Sequence, residues 1–148
     1  MKLKFFMQME PPTVTHQEKR VAVVRGKPRV YEDERLRDAR AKLTAHLAQH
    51  RPVQPLTGPL ALCVSWMFPD KGESHPHGAY RTSKPDTDNL NKLLKDCMTA
   101  CGFWKDDAQV VVETIVKLWV RPEQTVPGIF MEVRQLGEVY DMGELGER

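Results

Sequence analysis

Four aspartates and one lysine carry the chemistry open to this sequence. Asp86 and Asp88 stand two residues apart, Asp106 and Asp107 are adjacent, and Lys92 follows Asp88 by four. Between the two acidic points, Leu90, Leu93, Leu94, Cys97 and Cys101 recur at i, i+3, i+4, i+7 and i+11. That is the apolar stripe of an amphipathic helix. Asn91, Lys92, Lys95, Asp96 and Thr99 take its opposite side. Pro85 keeps Lys84 out of the helical region, Thr87 or Asp88 is placed to cap the first turn, and Gly102 supplies a stop. Asp86 and Asp88 therefore mark a helix N-terminus, where the dipole favours negative charge, and Lys92 shares a face with Asp88.

Carboxylates so placed suit a hard divalent cation. Magnesium prefers carboxylate oxygens, keeps several waters and shares its remaining positions with substrate phosphates. A lysine beside them could neutralise a scissile phosphate or hold a nucleophilic water. Each half alone has an ordinary explanation, since acidic first turns cap helices and an Asp-Asp pair marks a turn. The continuous string is more specific. Asp86-Thr87-Asp88-Asn89-Leu90-Asn91-Lys92, a helix, then Gly102-Phe103-Trp104-Lys105-Asp106-Asp107-Ala108-Gln109-Val110 resembles the RusA family of Holliday junction resolvases, endonucleases often carried by phages and prophages. Similarity is dense over 84–112 and looser toward the N-terminus, where Glu10-Pro11-Pro12 and the basic turn near Gly26 to Arg29 also fit.

The resemblance implies a homodimeric, magnesium-dependent endodeoxyribonuclease, with manganese able to substitute. Its substrate would be four-way junction DNA, cut by paired symmetric nicks in recombination and repair. It implies metal-site acids at Asp86, Asp88 and Asp107, with Lys92 completing the catalytic set. The fold expected is α/β (α+β): one compact domain over 1–136, a mixed β-sheet with two main helices, and an acidic, flexible tail over 137–148. Two other readings compete with this one. A non-catalytic branched-DNA-binding protein would keep the fold, but the full Asp set and Lys92 speak against it. A DxD glycosyltransferase needs a larger nucleotide-binding domain, and there is no Gly-rich phosphate loop.

The elements that must position this set fit a chain of 148 residues, 41% hydrophobic and 28% charged, enough for one core. No apolar run is long enough to span a membrane, and the start lacks the pattern of a signal peptide, so the expected location is cytoplasmic. Net charge is only +2, but Lys19, Arg20, Arg25, Lys27 and Arg29 cluster against Glu18. Such a cluster can bind phosphates. Three cysteines argue against a disulfide scaffold, and buried reduced thiols are expected at Cys63, Cys97 and Cys101. A zinc site from Cys97, Cys101, His75 and His77 matches no standard spacing.

In order, residues 2–9 alternate as a strand, 21–31 form a hairpin carrying the basic cluster, and 32–50 form a helix with a basic side at Arg35, Arg37, Arg40 and Lys42. His46 and His50 fall to surface or helix-end roles. Residues 60–68 (LALCVSWMF) read as a central strand covered on both faces. Residues 69–85 form a long loop, of a length that goes with function or mobility, bearing Lys71, Arg81 and Lys84 as further candidate DNA contacts. Strands follow over 109–120 and 129–135. Phe103 and Trp104 either cap the core or stack on junction bases. A helix over 88–101 is about 20 Å long, and the segment back to Asp107 spans no more than about 20 Å. Asp107 therefore meets Asp86 and Asp88 by a nearly straight return, or across a dimer interface.

Overall fold

A computed structural model describes residues 1–15, 20–31 and 33–146. Its main sheet has four strands: β1 (Lys2–Gln8), β4 (Leu60–Pro69), β5 (Val110–Val120) and β6 (Gly128–Gln135), in the order β1-β6-β4-β5. β4 and β5 are parallel and are joined through helix α2 (Thr87–Cys101), as a parallel pair must be by a crossover. β6 runs antiparallel to both β4 and β1. Helix α1 (Glu34–Ala48) packs beside α2, and β2 (Arg20–Val24) and β3 (Lys27–Tyr31) form a separate hairpin. The expected mixed sheet with two main helices is the architecture found. No helix among the described residues is long and apolar enough to cross a membrane.

Alternation along the strands builds one core face. Leu60, Leu62, Val64, Trp66 and Phe68 of β4 are buried with Ile129, Met131 and Val133 of β6, and Leu36, Leu43 and Leu47 of α1 join Leu90, Leu93, Leu94, Cys97 and Met98 of α2 in the same cluster. β4 is central, but it is not covered on both faces. Cys63 is exposed, and Ser65 and Met67 are half-buried, because both helices pack on the other side of the sheet. The expectation of three buried thiols is corrected accordingly. Burial pushes the Cys97 and Cys101 thiols up. A neutral-pH titration with an aromatic disulfide should thus find one fast thiol in native protein, at Cys63, and three after denaturation.

Two glycines show what the fold requires. At the hairpin tip, Val24 faces Lys27, leaving Arg25 and Gly26 as a two-residue loop with φ of 53° and 76°. Such turns match the strand twist and need positive φ at both positions. A Cβ on Gly128 would lie 2.4 Å from the Met7 carbonyl oxygen and from the Phe6 ring. Gly128→Ala must push β6 from β1, and should cost about 1–3 kcal/mol in urea unfolding.

Helix α1 starts later than expected, because Asp33 is its N-cap and accepts the Arg35 N–H at 2.8 Å. His50 stacks on Phe5 with ring centroids 4.4 Å apart. Phe103 and Trp104 are buried, and the Trp104 indole N–H donates to Thr99 Oγ1 at 2.7 Å. Of their two possible roles, they take the one in the core. Gly102 ends α2 at φ 85°. A single helical turn, Gly143–Gly146, lies within the acidic C-terminal segment.

Candidate active site

The chain reaches α2 along a strap. Outside β5, which has β4 on its other side, Gly78 N–H donates to Trp119 O at 2.8 Å, Trp119 N–H to Ala79 O at 2.8 Å, and Arg81 N–H to Lys117 O at 2.9 Å. The long loop is therefore laid along the sheet edge, with Tyr80 bridged antiparallel to Leu118. Its start is tied down by Asp70, which is buried and accepts N–H groups from Ser74 and His75. Burial alone would raise the Asp70 carboxyl, but these bonds and the His75 ring hold it below the usual range. His75 stacks on Trp119, and His77 Nδ1 accepts the Arg121 N–H at 3.0 Å. That leaves the His77 proton on Nε2, 3.2 Å from Thr125 Oγ1. Both histidines are engaged in the strap, whereas Cys97 and Cys101 face α1.

The strap delivers Asp86 as the N-cap of α2. Neither Thr87 nor Asp88 takes that place, and the Asp86 side chain makes no cap hydrogen bond. Capping aspartates elsewhere in this chain do bond their helix, as Asp33 shows. Asp86 and Asp88 are both exposed, in and before the first turn. Lys92 is one helical turn further on.

The adjacent pair divides its labour. Asp106 Oδ1 accepts the Ala108 N–H at 2.8 Å and N-caps a short 3-10 turn, Asp107–Gln109, while Gln109 Oε1 accepts the N–H groups of Lys105 and Asp106. Gln109 Nε2 also donates to the carbonyls of Leu56 and Gly58 at 3.1 Å, fixing the turn to the body. Asp107 is left facing α2, with Oδ2 3.8 Å from Lys92 Nζ. Asp106→Asn retains a capping side chain. It should keep cleavage within about threefold and lose no more than about 1 kcal/mol, whereas Asp107→Asn should be inactive in the same assay.

Lys92 lies between two acids, with Asp96 Oδ1 at 3.0 Å and Asp107 Oδ2 at 3.8 Å. Asp96, then Asp107, raises the ammonium above its ordinary value, so Lys92 is a standing positive charge. Among the described residues, no three carboxylate, imidazole or thiol groups gather closely enough to hold a metal ion. Asp107 thus returns within its own chain as far as Lys92, a turn short of Asp88. The donor set nevertheless fits a hard cation of the magnesium kind, which takes one or two carboxylates and keeps its waters.

Two features escaped the sequence. Asn91, placed there on the polar face, is buried, and its Oδ1 accepts the Trp66 indole N–H at 2.9 Å while its amide donates to Glu113. The apolar stripe wraps further round α2 than its spacing suggested, since Met98 is buried too. The second is Lys117 of β5, whose Nζ donates to Ser83 O at 2.8 Å and Pro85 O at 2.7 Å. Burial lowers its pKa and the Arg81 charge adds to this, while nearby Asp86 opposes both. No local spacing signals a lysine that meets a loop 32 residues away in the chain.

The candidate DNA contacts lie in different settings. Arg25 and Lys27 are exposed at the hairpin tip and Lys84 on the strap. Lys71 pairs with Glu10 at 3.2 Å. Arg81 is held over the Phe68 and Trp119 rings, at 4.2 and 4.4 Å, and bonds the Lys84 carbonyl. Lys19 and the side chains of Arg20 and Arg29 lie outside the described residues.

The family described as Endodeoxyribonuclease RusA matches residues 10–134. The chain belongs to the RusA family. Its class is accordingly that of an endodeoxyribonuclease, and RusA-type nucleases are metal-dependent. A protein of Lactococcus phage r1t named crossover junction endodeoxyribonuclease rusA is 32% identical over 113 residues, covering 75% of this chain and 84% of that relative. Proteins of the same name from Escherichia coli K12 and Enterobacteria phage 82 are 54% identical over 33 residues, 22% of this chain and 28% of theirs.

Proposed function

We propose that this RusA-family protein resolves four-way DNA junctions by paired nicks, with magnesium at Asp86, Asp88 and Asp107. The observation that carries this reading is the divided use of the aspartates: the Asp106 side chain caps its turn, whereas the Asp86 side chain makes no cap bond and Asp107 turns toward Lys92. The r1t phage relative named for crossover junctions, matched over most of both chains, supports the substrate class. Bound there, the divalent ion would supply an activated water and stabilise charge on an in-line phosphoryl transition state. Asp86 and Asp88 would hold it from the helix N-terminus, with Asp107 as the third carboxylate of the set. Lys92, a permanent cation between acids, would bind a non-bridging phosphate oxygen rather than take a proton.

Arg25, Lys27 and Lys84, with Lys19, Arg20, Arg29 and Lys71, would meet the DNA backbone. Two symmetric cuts require two sites related by a dyad, so we infer a homodimer acting in the cytoplasm. The nuclease unit would be 1–136, with 137–148 as an acidic appendage.

The test is a labelled four-way junction and a matched linear duplex, each incubated with magnesium and with chelator. Expected are paired, magnesium-dependent nicks in the junction alone. Equal cutting of both substrates would keep the metal site and refute junction specificity. Tight junction binding without cutting would refute the catalytic assignment.

A further inference from the structure

We propose that Lys117 is a positioning residue for the reaction: it clamps the peptide before Asp86 and so aims that carboxylate. The inference rests on the metal-site reading above, and goes beyond it to a residue on another element. The geometry is a two-cation clamp. The Lys117 ammonium donates to the carbonyls of Ser83 and Pro85, and the Arg81 guanidinium donates to the carbonyl between them, that of Lys84. Three consecutive carbonyls thus point at cations on the sheet edge, and the next residue is Asp86.

The clamp is itself anchored. Lys117 belongs to β5, paired there with Trp66 of the buried strand β4. Its carbonyl accepts the Arg81 N–H, so the two cations are fixed to each other through the backbone. Arg81 is further held between Phe68 and Trp119, with its charge over both ring faces. Asp86 needs such support because nothing in its own helix supplies it: its side chain bonds none of the α2 N–H groups, and it is exposed. A carboxylate oriented only by its backbone is as precise as the peptide that precedes it. Three bonded carbonyls tie that peptide to the sheet edge. In metal sites, loss of a group that orients a ligand typically costs about 10–100-fold in metal affinity or activity.

The experiment compares Lys117→Met and Lys117→Arg with the parent. It measures junction Kd, single-turnover cleavage, melting temperature, and binding of manganese alone to the DNA-free protein by electron paramagnetic resonance. Lys117→Met should keep junction affinity within about threefold while cleavage and manganese affinity each fall by about 10–100-fold. Lys117→Arg, which keeps donors and charge, should recover at least half of the logarithmic loss. A folded Lys117→Met variant with parental manganese affinity and cleavage overturns the proposal. So does a loss confined to junction affinity, which would make Lys117 a DNA contact. Should the methionine variant not fold, Arg81→Leu removes the Lys84 carbonyl's partner and keeps apolar cover on both rings. Parental manganese affinity and cleavage in that variant also overturn the clamp. Asp86→Asn separates the two readings: if it cuts normally, the metal-site reading fails; if it is dead while Lys117→Met is parental, only the clamp fails.

Discussion

Asp88→Asn should leave a folded protein that binds a four-way junction and no longer cuts it. The change is isosteric, and its site is exposed in the first turn of α2, so neither core packing nor the helix start is disturbed. What is removed is one negative charge and one hard donor. A neutral amide oxygen binds a divalent cation far less strongly than a carboxylate. The loss therefore falls on the activation of water and on the charge that develops at phosphorus, and single-turnover cleavage should drop by about a thousandfold or more. Junction affinity should stay within about threefold, because on the proposed reading it would come from lysine and arginine contacts with phosphates, which asparagine leaves in place. Titration of a labelled junction in chelator measures the second quantity without the first. Parental cleavage would remove Asp88 from the site. Joint loss of binding and fold would show a structural role.

Trp104→Ala should unfold the protein more readily by about 3–5 kcal/mol. Trp104 is 1% exposed and packs edge-on against Phe103, which is fully buried. Its indole N–H is held by Thr99, so truncation leaves a cavity and removes a hydrogen bond at the end of α2, where the Thr99 hydroxyl keeps only its bond to the Lys95 carbonyl. The bridge between Leu56 and Trp104 lies in the same segment that leads to Asp107. Urea unfolding should show a lower midpoint at an unchanged slope. Junction affinity of the fraction that remains folded should be unchanged. A junction-stacking tryptophan would give the reverse, with binding lost and stability kept.

Much of the fold was legible because its signals are local. Leu90, Leu93, Leu94, Cys97 and Cys101 phase α2, Gly102 ends it, and the nearly continuous apolar run of 60–68 reads as the central strand that it is. The misreadings have one cause, that burial is decided by what lies opposite. Cys63 belongs to a strand apolar enough to be covered twice, yet both helices pack on one side of the sheet and leave it exposed. Asn91 reads as a surface residue until Trp66 is placed against it. The loop 69–85 has a length that goes with function or mobility, but β5 offers an edge, and pairing with that edge turns it into a strap.

The sequence alone was enough to identify the family string, the acids, the lysine, and their common place around one helix, because spacing along a chain becomes spacing in a helix without further information. Only the tertiary structure could assign work within that set. It gave Asp106 to a cap and turned Asp107 toward Lys92, and it left Asp86 without a cap bond. It also brought Lys117 and Arg81 to the peptide before Asp86. These assignments depend on the register of β5 against β4 and against the strap. Register is a property of the packed sheet, set by contacts between residues far apart in the chain.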